Sequence, residues 1–162
     1  MIFADANDAP IIADLAKRIC YDYYYKIVDK GLVDYYVEKY QSEKAIREQI
    51  ENEGFLYSFI VSEGKKVGYF SIRSEGDALL ISKLYLEEDH RGKGLGSQAL
   101  DSIIEYGRSA SMKYVYLHVN KNNIASIEIY KSKGFFISRY DDSNIDGGFK
   151  LDDYIMEYSY ER

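Results

Sequence analysis

Apolar and polar positions along the first fifty residues recur with helical spacing. Ile11, Ile12, Leu15 and Ile19 fall three or four residues apart and predict a helix. Asp8 stands where it would cap that helix and Pro10 falls in its first turn. The helix extends to about Tyr25, and Gly31 reads as a break. A second helix covers residues 32–40, and Ser42 with Glu43 opens a third, with Ile46 and Ile50 on one face. Residues 1–4 are a short apolar start, read as an edge strand.

The period then changes to two. Phe55, Tyr57, Phe59 and Val61 alternate with Leu56, Ser58, Ile60 and Ser62 in a strand. A turn at Gly64 and Lys65 leads into a second strand carrying Val67, Tyr69 and Ser71. A further turn at Glu75, Gly76 and Asp77 leads into a third strand over residues 79–86. A glycine-rich loop at residues 91–96 precedes a helix with Leu95, Ala99, Ile103 and Tyr106 on one side. Residues 114–119 form an apolar strand. Residues 123–132 form a short helix, with Ile124, Ile127 and Tyr130 on one face and Gly134 at its C-terminal cap. Residues 135–140 and 154–160 close the chain as two strands, with a polar turn from Asp141 to Gly148 before the last. An antiparallel meander beside a strand–helix–strand unit predicts an α/β fold with a mixed sheet.

At 162 residues and 46% apolar content, the chain fits one domain with a real core. The start of the chain has neither a basic segment nor a long apolar run. No stretch approaches the roughly 18 apolar residues of a membrane span. The one cysteine, Cys20, has no internal partner, and a reducing cytoplasm is the expected location. One Cys and two His leave few soft ligands, so no metal is expected. The net charge of −6 disfavours nucleic acid as a partner and is compatible with a cationic small molecule. There are 18 tyrosines and no tryptophan. Most are expected in the core with a wet hydroxyl. The early group Tyr21, Tyr23, Tyr24, Tyr25, Tyr35 and Tyr36 is also a candidate lining for a substrate pocket.

The chemistry concentrates between Leu84 and Gly96. Gly92, Gly94 and Gly96 let backbone amides approach a ligand closely. They open a helix, whose N-terminus offers free N–H donors and partial positive charge. Arg91 and Lys93 add cations, so the loop reads as an anion cradle suited to a phosphate or pyrophosphate. A P-loop would close on Gly-Lys-Ser/Thr, whereas Gly94 is followed by Leu95, and a dinucleotide fingerprint would need glycine where Ser97 stands.

Arg91-Gly92-Lys93-Gly94-Leu95-Gly96 resembles the Arg/Gln-x-x-Gly-x-Gly/Ala signature of the GNAT superfamily of acetyl-CoA-dependent N-acetyltransferases. The block from His118 to Phe135 resembles that family's strand, Asn-containing turn and closing Tyr-x-x-x-Gly-Phe, and Asp152 to Glu157 resembles its last strand. The resemblance covers residues 55–160 well and the first fifty in outline. It implies a single N-acetyltransferase domain over 1–162, with a central, mostly antiparallel sheet containing a splayed parallel pair and flanked by helices. It implies acetyl-CoA as co-substrate, with no metal. Pyrophosphate would rest on the amides of Arg91, Gly92, Lys93, Gly94, Leu95 and Gly96. Pantetheine would pair with the backbone of Leu84 and Leu86. Asn123 would hold the pantetheine or the turn, and Tyr130 would sit close to the sulfur.

N-acetylation needs a neutral amine and a proton for the departing thiolate. Tyr130 is the acid the resemblance suggests, the plain alternative being a core tyrosine. His118 is the candidate base, since imidazole titrates near neutral pH, with Glu87 and Glu88 acting through water as runners-up. His90 reads as a surface residue and Cys20 as packing. The expected function is acetyl transfer in a ternary complex to a primary amine such as a polyamine. A protein or peptide amine, or a CoA-binding regulatory module without catalysis, is the alternative. No membrane partner is expected, and a homodimer is left open.

Overall fold

The computed structural model describes residues 1–145 and 148–161. Five helices and a six-stranded sheet make up its frame. The helices are α1 (Ala9–Tyr24), α2 (Lys30–Tyr40), α3 (Glu43–Glu51), α4 (Leu95–Ser109) and α5 (Ile124–Ser132). The strands are β1 (Leu56–Ser62), β2 (Lys65–Glu75), β3 (Ala78–Leu86), β4 (Tyr114–Asn120), β5 (Phe136–Asp141), β6 (Asn144–Ile145), β7 (Phe149–Lys150) and β8 (Asp153–Ser159). The large sheet runs β1-β2-β3-β4-β8-β5, with β3 and β4 parallel and every other pair antiparallel.

The meander forms as the alternation predicts. Glu63 and Gly64 both take positive φ in the β1–β2 turn, the conformation that matches the twist of a two-residue hairpin. Lys65 already belongs to β2. The N-terminus differs from the expectation. Residues 1–4 form no strand, and only Ala4 bridges to Tyr57, donating its amide at 2.7 Å. The chain turns away there because Asp5 and Asp8 close a reciprocal capping box around a single 3-10 turn. Asp8 therefore caps that turn's backbone and makes no side-chain cap to α1. Gly31 does not break the chain. It lies in the first turn of α2, which Asp29 opens by accepting from the Leu32 amide at 3.1 Å. The expected polar turn after β5 holds the small β6–β7 hairpin. Asp146 and Gly147 of that segment lie outside the described residues.

Two cores sandwich the sheet. α4 and α5 cover one face, where Leu79, Leu100, Ile103, Val115, Leu117 and Met156 are buried. α1 and α3 cover the other, around Ile12, Leu15, Ile46, Tyr57 and Tyr69. Tyr57 and Tyr69 are fully buried, and their hydroxyls donate to Gln49 Oε1 at 2.6 Å and Gln41 Oε1 at 2.7 Å. A buried phenol without such a partner would bear the full cost of stripping water from its hydroxyl. α5 buries Ile127 and Tyr130, whereas Ile124, expected on that face, is 62% exposed.

Two irregularities shape the centre. β3 and β4 pair only from Ala78↔Tyr114 to Ile81↔Leu117, and both strands continue beyond that point without pairing to each other. The strands therefore splay. In β3 the register slips against β2 between Ser71 and Ile72, leaving Ser82 as the extra residue. A bulge of this kind reverses the in–out alternation. Leu84 and Leu86 thus rejoin the core under α4, while Lys83 and Tyr85 turn to the α1–α3 face.

Candidate functional site

Two cavities meet at the splay. The larger, about 450 Å³, is lined by Arg91, Gly92, Gly94, Gly96, Ser97, Leu86, Tyr23, Ser126 and Ile129. The smaller, about 220 Å³, lies on the opposite side and is lined by Cys20, Tyr36, Lys83, His118, Asn120 and Asp153 among others. Tyr24, Leu84, Tyr85, Asn123 and Tyr130 line both.

The larger cavity ends on the glycine loop. Gly92 and Gly94 have φ of +72° and +83°, a region that side chains other than glycine adopt at a cost. Gly94 is the N-cap of α4 and supplies no side-chain acceptor, so the first amides of that helix are left for an external anion. An added Cβ at Gly92 or Gly94 would meet no protein atom within 4 Å, so the space over the loop is open. Arg91 donates from Nε to the Leu86 carbonyl at 2.9 Å, and its guanidinium lies 4.5 Å from the Tyr23 ring centroid. Lys93 is exposed outside the cavity lining, and Leu95 packs its side chain on the core beneath.

The edge of β3 in the splay is equally suited to a ligand. The Glu87 amide donates to Val67 on β2 at 2.9 Å. Alternation along an antiparallel ladder then turns the amides of Leu84 and Leu86 the other way, into the splay. Asn123 is 3% exposed, caps α5 by accepting from the Ser126 amide at 3.4 Å, and accepts from the Tyr23 hydroxyl at 2.6 Å. This last bond ties the end of α1 across the cavity to α5. Tyr130 is buried where the cavities join, and its hydroxyl has no hydrogen-bond partner among the described residues. Burial pushes that phenol up, with Tyr23 adding to the shift, so it stays protonated throughout the neutral range.

The smaller cavity carries the titratable groups. His118 projects from β4 and stays accessible to solvent, with its ring 6.2 Å from that of Tyr116. Desolvation lowers its pKa below the ordinary histidine value, against an opposing pull from Asp141. Asp153 is pushed up to about 6, first by burial and then by Asp141 and Asp152. Burial pushes the Cys20 thiol up to about 12, which leaves it an unreactive packing group. Tyr24 and Tyr36 line the wall, as the tyrosine cluster suggested, and Tyr23 lines the larger cavity. Tyr25 instead donates to Asp34, and Tyr35 packs against Phe149.

Glu87 and Glu88 line neither cavity. Glu87 pairs with Arg18 at 2.9 Å and Glu88 with Lys26 at 3.4 Å, which draws both carboxylates to the outer rim. His90, in the short turn before the loop, also lies outside both linings.

Lys83 has no counterpart among the residues singled out from sequence. It is 3% exposed, and burial pulls its pKa down to about 7, against weaker opposing contributions from Cys20 and Glu53. Its signal was a lone cation inside the apolar run Leu79-Leu80-Ile81-Ser82-Lys83-Leu84. Between the folded value and the ordinary lysine value, the unfolded chain holds a proton that the folded chain releases. Stability lost to Lys83 therefore grows as pH falls from about 10.4 to about 7 and is constant below. Lys83→Met is expected to raise the melting temperature on the order of 5 °C at pH 7, less at pH 9. Calorimetric melting of both proteins across that range checks this, and a gain that is flat with pH would refute it.

The comparisons with known proteins agree with this geometry. The family model described as Acetyltransferase (GNAT) family matches residues 22–135. An L-methionine sulfoximine/L-methionine sulfone acetyltransferase of Pseudomonas aeruginosa is 38% identical over 55 residues, 34% of this chain and 32% of that protein. A spermine/spermidine N(1)-acetyltransferase of Bacillus subtilis is 32% identical over 56 residues, 34% of this chain and 37% of that protein. The matches thus span about a third of the length of these two relatives. In fold, the chain is similar to the PaiA N-acetyltransferase of Thermoplasma acidophilum, solved in complex with coenzyme A. The TM-score is 0.79 at 17% identity, covering 99% of this chain and 100% of that one. With 114 residues of continuous family match on a splayed mixed sheet, the chain belongs to the acetyltransferase (GNAT) family.

Proposed function

We propose that the protein moves the acetyl group of acetyl-CoA to a primary amine by direct transfer in a ternary complex. The observation that carries this reading is the junction of two cavities at the β3–β4 splay, one ending on the glycine loop and the other lined by titratable groups. Family membership supports the same chemistry. The free amides of Gly94 to Gly96, with Arg91, receive the pyrophosphate. The backbone of Leu84 and Leu86 holds the pantetheine arm in the manner of an added strand. Asn123 fixes the turn beside it. His118 takes the proton of the acceptor ammonium, and a histidine kept neutral by desolvation is free to do so near neutral pH. The nitrogen then attacks the thioester carbonyl, the C–N bond forms and the C–S bond breaks. Tyr130 donates its proton to the departing sulfur and regains one from the nitrogen or solvent.

The acceptor on this reading is a small cationic amine such as a polyamine. Asp153 and the tyrosine faces of Tyr24 and Tyr36 line its cavity, and each attracts an ammonium group. The named activity of the spermine/spermidine relative points the same way. Of the acidic residues near the last strands, Asp152 is paired with Lys121, Asp142 is paired with Lys150, and Asp141 accepts from the Ser143 amide outside the cavity lining, so Asp153 carries the argument. Release of free CoA is measured with spermidine, lysine, an aminoglycoside and peptides side by side, at low and high salt. Spermidine is expected to be used most efficiently, with an efficiency that falls with salt. Faster turnover of peptides than of every small amine would remove the polyamine preference. Binding of CoA with no turnover of any amine would turn the protein into a CoA-responsive module.

A further inference from the structure

The wall of the smaller cavity contains a lysine that nothing in the transfer chemistry above uses. Lys83 donates from Nζ to Gln49 Oε1 at 2.5 Å and to the Tyr57 hydroxyl. Tyr57 in turn donates to the same Gln49 oxygen at 2.6 Å. All these partners are neutral, and among the described residues no carboxylate forms an ion pair with Lys83. A neutral amine has two N–H groups, and both are used here. An ammonium has a third, which finds no oxygen or nitrogen acceptor among the described residues and only the ring faces of Phe55 and Tyr57, at 5.6 and 4.9 Å. Buried charges otherwise come with an opposite charge. The hydrogen-bond set therefore matches the neutral amine, in agreement with its depressed pKa.

The groups facing Lys83 from the surrounding elements do not supply a counter-charge at close range. Cys20 on α1 stays a thiol. Tyr36 on α2 and Tyr57 on β1 are phenols held protonated by burial. Glu53, just beyond α3, is exposed. Across the cavity stand His118 on β4 and Asp153 on β8.

We propose that Lys83 is a specificity-determining residue that lets the acceptor cavity take a cationic amine only while Lys83 itself is neutral. This rests on the cationic-acceptor reading given above. A proton on Lys83 and an ammonium in the same low-dielectric cavity repel one another. Linkage makes the effect reciprocal, so the proton weakens the amine by the factor with which the amine expels the proton. His118 then governs the rate of proton removal, while Lys83 governs acceptor affinity.

The test is binding of choline, whose charge does not change with pH, to the CoA-saturated protein by titration calorimetry. The window is pH 6.5 to 8, over which Asp153, pushed up to about 6, goes from about three-quarters to fully ionised and so changes the affinity of a cation by no more than about 1.3-fold. With about a quarter of Lys83 neutral at the lower end and nine-tenths at the upper, choline should bind about fourfold tighter at pH 8. Lys83→Met should bind with the pH 8 strength throughout. Lys83→Arg, which keeps its charge, should bind about tenfold more weakly throughout. A His118→Gln protein should keep the wild-type pH dependence. Wild-type affinity that is flat with pH, or a pH dependence that survives in Lys83→Met, would overturn the proposal. Tighter choline binding at pH 6.5, the trend opposite to charge exclusion, would also overturn it. So would stronger binding of a carboxylate-bearing amine than of its decarboxylated partner, lost in Lys83→Met, since Lys83 would then be an anion site. Turnover of peptides alone removes the cationic small-amine reading itself, a failure visible in the acceptor panel and separate from these binding results.

Discussion

Coenzyme A at a hundredfold excess over its Kd is expected to stabilise the protein by about 2.7 kcal/mol, because it binds the folded state alone. For a domain of this size that is a rise in Tm of roughly 5–10 °C. Gly96→Val should abolish most of that rise with little change in the Tm of the unliganded protein. Gly96 lies in the first turn of α4, outside the positive-φ region, and its added Cβ would meet only Leu86 Cδ1 at 3.5 Å, an ordinary contact. The intrinsic cost of valine in a helix is about 0.5 kcal/mol relative to alanine. What valine takes away is the space over the helix amides. Gly94→Val tests the same loop differently. At φ +83° a β-branched residue is strained by about 1–3 kcal/mol, so the unliganded protein itself should melt several degrees lower. A folded Gly96→Val protein that keeps the full CoA shift would show that the anion rests elsewhere. Thermal melts with and without CoA decide it.

The loop was legible because every part of it is local. Three glycines, two cations and the start of a helix occupy six consecutive positions, and their chemistry does not depend on distant partners. The meander was legible for a similar reason, since alternation and turn residues suffice to pair neighbouring strands. Non-local choices were harder to read. β8 enters the sheet between β4 and β5, a placement that no turn signal encodes. Gly31 reads as a break in the sequence, but Asp29 caps α2 two residues earlier and absorbs it into the first turn. The bulge at Ser82 leaves no mark in the alternation of an almost wholly apolar strand, yet it decides which way Lys83 points.

The site followed the same division. Tyr130 and Asn123 follow from the resemblance and His118 from the titration range of imidazole; Tyr130 and Asn123 line both cavities, and His118 lines the smaller one. What joins them is long-range. Tyr23 meets Asn123 across 100 positions of sequence, and Lys83 meets Gln49 across 34. Glu87 and Glu88 looked available as bases because they follow the strand directly, but Arg18 and Lys26 on and just after α1 claim them. Sequence shows which carboxylates exist; only the packing of α1 shows which ones are already paired.

Tyr130→Phe is expected to lower kcat by about a hundredfold or more while leaving the affinity for CoA within a few-fold of wild type. The ring is buried against Phe135 at a centroid distance of 5.9 Å, and phenylalanine keeps that packing. The hydroxyl has no partner among the described residues, so its removal strands no buried donor or acceptor, and the fold should hold. Its only change of role would come as charge develops on the departing sulfur, when a positioned O–H donor is worth most. An interaction made in the transition state alone reduces kcat and kcat/KM together and leaves ground-state binding in place. The raised phenol pKa sharpens the prediction. Tyr130 remains protonated well beyond neutral pH, so wild-type kcat should show no descending limb from Tyr130 below about pH 10. Single-turnover measurement of the chemical step, paired with CoA binding by calorimetry, separates the two effects. An unchanged single-turnover rate in Tyr130→Phe would make the tyrosine a packing residue of α5 and move the proton donor to solvent.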